Sequence, residues 1–324
     1  MGFPPFTLKH HTAPYPGIDP SLPAVSAAGK TILITGGGSG IGPRIAEAFA
    51  VAGSTQITLL GRTQSTLEKT KTTLESTHNG LNVLTFVADI SDASAVNAAF
   101  QDTKATFGPI DIFISNAAFF PEAVLIKDTV VSDFAQGLTT NVVGNLVTTQ
   151  AFLATAAPSN AVLIHVTSGA VHMPSMPNYS GYQTSKTAAL KFFEAVQAET
   201  PDLRVMNVHP GYIATDMNAK SAKGGLGSDN SIPFDHIDLA GHFMVWAASP
   251  EGAFLKGKLI WSNWDVEELK QRKEELQGAL VSLFLGSINS SHQDGLNAMY
   301  LWDQLNRLLY AYKGLIFAYG DLHN

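Results

Sequence analysis

The segment TILITGGGSGIG (31–42) constrains this chain more than any other, because a continuous apolar run enters a glycine cluster and leaves it as the helical pattern IGPRIAEAFAVAG (41–53). Glycine reaches positive φ at no steric cost and keeps Cβ atoms away from whatever approaches the turn. The helix that opens there adds unpaired N–H groups and the positive end of its dipole, which together suit a phosphate. Pro43 falls in the first helical turn, where its missing N–H is not needed. Strand, glycine turn and helix in that order predict a dinucleotide cradle.

The remainder of the chain repeats the alternation. TILIT (31–35), ITLL (57–60), VLTFVA (83–88), IDIFIS (110–115), AVLIHVT (161–167), LRVMNVH (203–209) and KLIWS (258–262) read as strands apolar on both faces, as parallel strands covered by helices must be. Helical patterns fall at 40–52, 64–77, 92–106, 130–157, 180–199 and 236–248. The expected fold is α/β, a Rossmann-type doubly wound parallel sheet of about seven strands with helices on both faces. Such sheets bind ligands beyond the carboxyl ends of their strands. The Gly-, Ser- and Asn-rich stretch 211–235 is too long for a simple connection and predicts a binding loop or lid.

Composition closes off other classes. No cysteine is present, which removes disulfides, thiolate metal sites and cysteine nucleophiles; together with the lack of a secretory signal it fits a cytoplasmic protein. Net charge is −7 without a basic cluster, so no nucleic-acid partner is expected. No apolar run approaches the ~18 residues that a membrane helix needs, and none of the ten histidines has metal-ligand spacing, so no metal is expected.

The stretch NYSGYQTSKTAALKFF (178–193) sets Tyr182 and Lys186 four residues apart on one helix face. In isolation this is a surface pair. With Thr35-Gly36-x-x-x-Gly40-x-Gly42, SNAA (115–118), NVVG (141–144), HVTSGA (165–170), Tyr182-x-x-Ser185-Lys186 and HPGYIAT (209–215) in order, the chain resembles the short-chain dehydrogenase/reductase family over about 30–262. Ala118 departs from the family, which usually has glycine there. The ending NWDVEELKQRKEE (263–275) is similar to fungal reductases of secondary metabolism, a narrower resemblance.

The resemblance implies a nicotinamide cofactor held by Thr35, Gly36, Ser39, Gly40, Ile41, Gly42, Arg62, Asp89, Asn116, Tyr182, Lys186, Pro210, Gly211, Ile213 and Thr215. The second strand ends Leu60-Gly61-Arg62-Thr63 without an acid, and a guanidinium suits a 2′-phosphate, so NADP(H) is expected over NAD(H). The implied catalytic residues are Asn141, Ser168, Tyr182 and Lys186: Tyr182 as general acid, Ser168 on the substrate oxygen, Lys186 lowering the tyrosine pKa and holding the ribose, and Asn141 positioning a water. The expected reaction is reduction of a ketone or aldehyde, or oxidation of the matching secondary alcohol, with a fairly apolar, polyketide-like substrate class that the fungal resemblance and the neutral, Met- and aromatic-bearing lid segment suggest. The assembly it implies is a homodimer or homotetramer. Rival readings are a catalytically silent cofactor-binding sensor or scaffold, which has no need of all four residues, and a sugar-nucleotide epimerase or dehydratase, which the glycine spacing disfavours.

Three regions are expected: a Pro-rich leader 1–29 lying extended on the surface or fraying, the Rossmann-type domain 30–262, and a helical extension 263–324. In the extension, Asp265 is placed to cap a helix, and 298–320 carries Leu and Tyr at helical spacing.

Overall fold

The computed structural model describes residues 6–225 and 233–278, and Thr7–Ser282 form one compact unit. The region 279–324, including the helix expected at 298–320, lies outside the described residues. Seven parallel strands build the unit: β1 (Thr31–Thr35), β2 (Gln56–Gly61), β3 (Asn82–Val87), β4 (Ile112–Ser115), β5 (Val162–Val166), β6 (Arg204–His209) and β7 (Leu259–Trp261). Their order is β3-β2-β1-β4-β5-β6-β7, so the direction of winding reverses between β1 and β4. Every residue of β1, β4 and β5 is buried, the physical reason for their unbroken apolar runs.

Crossover helices cover both faces. Against one lie α1 (Gly42–Val51), α2 (Gln64–Thr77) and α8 (Asp238–Ala248), where α1 packs on both α2 and α8. Against the other lie α3 (Ala93–Phe107), α5 (Gly144–Thr155) and α6 (Ser180–Glu199). Phe100, Phe113, Phe152 and Phe193 fill that side, with Phe113 packed on Phe100 and Phe152 at ring distances of 5.3 Å. Asp92 begins α3 by accepting the N–H groups of Ser94 and Ala95, and Gly108 ends it at φ 91°.

Three sequence expectations change. The single helix expected over 130–157 is instead α4 (Val131–Leu138), a π-turn (Thr139–Val143) and α5. A π-turn loosens the backbone ladder, and the side chain of Asn145 satisfies the Asn141 carbonyl at 2.6 Å. Gly144 allows Ile90 to approach, since a Cβ there would lie 2.6 Å from its side chain. The stretch 211–235 contains α7 (Asp216–Ala222), begun by Thr215, whose hydroxyl accepts the Asn218 N–H.

The third change is the leader. Residues 7–29 form a strap with Ile18 and Val25 buried in short 3-10 turns. His10 bridges antiparallel to Trp264, and the His11 N–H donates to Asn263 O at 2.8 Å. The His11 ring meets the Asp265 carboxylate at 2.9 Å, and Tyr15 donates to Trp264 O at 3.0 Å. Prolines fix φ without occupying strand positions, so a Pro-rich segment can still pack where side chains reach partners. Asp265 caps α9 (Val266–Gln271) by accepting the Glu268 N–H, and α10 (Lys273–Gly278) follows. Among the described residues no helix is long and apolar enough to cross a membrane.

Candidate active site

A cleft of about 670 Å³ opens at the carboxyl ends of the strands. Its first wall is the turn after β1. Gly36 has φ +68°, and a Cβ there would come within 2.8 Å of the Asn116 amide. Ile41 precedes α1 without a side-chain cap, and the first-turn N–H groups of Gly42 and Arg44 are taken by Ser39 O and Ile41 O, so what the helix offers an anion here is the positive end of its dipole. Gly36, Ser39, Gly40 and Ile41 line the cleft. These glycine contours and the helix dipole fit a dinucleotide pyrophosphate.

Two expected cofactor residues stand behind that wall. Thr35 is buried, and its hydroxyl accepts the N–H groups of Asn116 (3.0 Å) and Ala117 (3.1 Å), locking β1 to β4. Gly42 touches no ligand space; a Cβ on it would sit 2.1 Å from Gly36 O, so it lets the turn close on the helix. Both are corrected from contacts to supports. Asn116 lines the cleft while its side chain donates to Thr35 O at 2.9 Å. Ala118 carries no positive φ, since Asn160 and Asn178 are the non-glycines that do among the described residues, so its methyl group is tolerated.

At the adenosine end, Arg62 and Asp89 line the cleft 4.0 Å apart. Arg62 is 65% exposed, free to turn toward a phosphate, and α2 begins directly after it. Asp89 is occupied by Ser91, whose N–H and hydroxyl both donate to it at 2.9 and 2.7 Å. Burial raises its pKa, but those bonds and the Arg62 charge outweigh burial and hold the carboxyl below its usual value.

Ser168, Tyr182 and Lys186 meet in the middle of the cleft. The Ser168 hydroxyl stands near enough to the Tyr182 phenol to draw its pKa down. Ser168 ends up there because its Oγ also accepts the Ala170 N–H, shaping the turn after β5. Phe120 packs on the Tyr182 ring at 4.5 Å. Lys186, on the same face of α6, is buried and donates to Val166 O at 2.9 Å. Burial pulls its pKa down to about 8. Burial also raises the Tyr182 pKa, opposed by the Ser168 hydroxyl. The sequence expectation that Lys186 makes the phenol acidic is thus not what dominates here: the lysine is itself desolvated and turned to a carbonyl.

Asn141 does not line the cleft, and its amide is fully engaged. Its Oδ1 accepts the Phe119 N–H, and its Nδ2 donates to Phe119 O and Ser185 Oγ, all at 2.8–2.9 Å. The side chain therefore ties the β4 loop to α6 rather than holding a water. Pro210, Gly211, Ile213 and Thr215 line the cleft as expected from their position after β6.

Sequence reasoning missed the other end of the cleft, where His10, Thr12, His209, Trp261 and Asn263 gather. The strap reaches it through paired bonds: Asn263 donates to His11 O at 2.9 Å, and the His236 N–H donates to Thr12 O at 2.7 Å. No local pattern marks His10 or Thr12, whose partners Trp264 and His236 lie far along the chain. His209 had a signal, its place directly before Pro210-Gly211, but no motif gives it a role.

The profile of the family described as short chain dehydrogenase matches residues 30–225. A short chain dehydrogenase/reductase of Aspergillus aculeatus, AacuD, is 32% identical over 81% of this chain and 90% of its own length. A short chain dehydrogenase/reductase of Claviceps purpurea is 33% identical over 78% and 84%. Among solved structures, a short chain dehydrogenase of Burkholderia cenocepacia in complex with NADP superposes with a TM-score of 0.66 at 24% identity, covering 74% of this chain and 98% of that one. That likeness is one of fold.

Proposed function

Because the chain belongs to the short-chain dehydrogenase/reductase family, oxidoreductases that act on CH–OH and C=O groups with NAD(P), we propose that it is an NADP(H)-dependent reductase of an apolar ketone or aldehyde. The observation that carries this reading is that Ser168, Tyr182 and Lys186 line the same cleft as the glycine turn.

NADPH, when bound, supplies the hydride. Tyr182 gives its proton to the carbonyl oxygen, and raising the phenol pKa by burial keeps that proton in place until charge develops on the substrate. Ser168 donates to the same oxygen and stabilises its developing charge. Lys186 orients the ribose hydroxyls and carries a proton that can be passed toward the phenol. Asn141 supports this group from behind, by fixing Ser185 one residue before Lys186. Arg62 takes the 2′-phosphate. Met173, Met176, Tyr179 and Trp261 line the substrate end, which supports an apolar substrate; the fungal relatives support an intermediate of secondary metabolism.

The test is nicotinamide absorbance with purified protein, both cofactors and a panel of ketones graded in size. Turnover of at least one ketone with NADPH is expected. Tight cofactor binding without turnover of any carbonyl compound would favour the silent sensor instead.

A further inference from the structure

His209 ends β6 and lines the cleft, yet nothing above gives it a task. Its Nδ1 accepts the backbone N–H of Gly169 at 2.9 Å. A backbone N–H is only a donor, so Nδ1 carries no proton and the neutral ring is fixed with its proton on Nε2. Burial favours that neutral form, holding the pKa near 3, and the neighbouring His172 and His10 push the same way. The residue is held elsewhere too. Trp261 packs edge-on at 4.5 Å and 74°, and the hydroxyl and N–H of Ser262 donate to the His209 carbonyl at 2.7 and 2.9 Å.

The other partner in that bond explains its importance. Gly169 follows Ser168, and its backbone lies flat against the imidazole: a Cβ there would sit 3.1 Å from His209 Nε2. The β5–β6 ladder ends with the Thr167 N–H bonded to Val208 O. Past that point the turn is held by its own bonds, by Gln183 donating to Ala170 O at 3.1 Å, and by His209. His209 is therefore what anchors the start of the turn to the neighbouring strand.

We propose that His209 is a positioning residue for carbonyl reduction: by accepting the Gly169 N–H, it holds the turn that places the Ser168 hydroxyl against the Tyr182 phenol. This rests on the roles given to Ser168 and Tyr182 under the reductase reading.

Two variants separate the acceptor from the ring. His209→Phe keeps a flat ring against Gly169 but strands a buried N–H, whereas His209→Asn returns an acceptor near the Nδ1 position. The Phe variant leaves that buried donor unpaired and lets the turn carrying Ser168 shift, so it should lose about ten- to hundredfold in kcat. Its NADPH dissociation constant, read by fluorescence, should move less than about twofold, and the Asn variant should recover most of the rate. Nitrogen NMR of the histidine-labelled protein should show Nδ1 of His209 unprotonated from pH 5 to 8. Equal kcat in both variants, whether retained or lost, overturns the proposal, as does a proton on Nδ1. If unmodified protein reduces no ketone, and a Tyr182→Phe control is equally silent, the reductase reading fails and takes the catalytic role with it, while the NMR still decides the anchoring bond.

Discussion

A phenol set beside a serine and a lysine turned to a carbonyl define how the central side chains should respond to change. Tyr182→Phe removes the proposed acid without altering the ring, so kcat should fall about 10²- to 10⁴-fold while NADPH affinity stays nearly constant. Lys186 keeps its charge below about pH 8 and loses it above. If its ammonium holds the cofactor ribose, NADPH affinity measured without substrate should weaken as pH rises through about 8, and Lys186→Met should flatten that profile. A charge-assisted phosphate contact is worth about 1.5–3 kcal/mol, so Arg62→Ala should weaken NADPH binding about ten- to hundredfold and NADH binding hardly at all. Equal losses for both cofactors would reject the 2′-phosphate assignment. The residues in these predictions were legible because their chemistry is carried by short-range spacing. Tyr182 and Lys186 share a helix face whatever the rest of the fold does. What spacing cannot convey is solvation: that burial rather than a neighbouring charge governs both groups depends on atoms brought in from β4 and β5.

The strands and helices show a similar division. Continuous apolar runs announced all seven strands, and α2 and α6 fall at the bounds their patterns imply, 64–77 and 180–199. The π-turn was not legible, because Asn145 closing on the Asn141 carbonyl is a side-chain choice that leaves no mark on hydrophobic period. Nor could spacing separate glycines that face a ligand from one that faces backbone. Gly42 belongs to the second kind, and Gly42→Ala would drive a Cβ into Gly36 O. Overpacking of this sort costs about 1–3 kcal/mol or more. Thermal unfolding should show that loss, and dinucleotide binding should weaken with it because the whole turn must shift.

The strap and the last strand together hold one side of the cleft, and Asp265 is their common point. It caps α9 and meets His11. Burial raises its pKa, but the bonds from His11 and from the Glu268 N–H prevail and hold it below the usual carboxylate value. A depressed acid contributes stability above its unfolded pKa and loses that contribution as pH falls through the folded one. Melting temperature should therefore drop on acidification below the ordinary aspartate range, more steeply in the unmodified protein than in Asp265→Asn. Asp265→Ala at neutral pH should cost about 1–2 kcal/mol through the lost cap alone.

Contacts between Thr12 or His11 and the segment at 236–263 have a consequence for how the protein is made. A ribosome delivers the glycine turn long before Asn263. A nascent chain therefore acquires its nucleotide pocket well before a complete substrate wall, and the strap must wait for the segment at 236–263 before the mouth of the cavity takes shape.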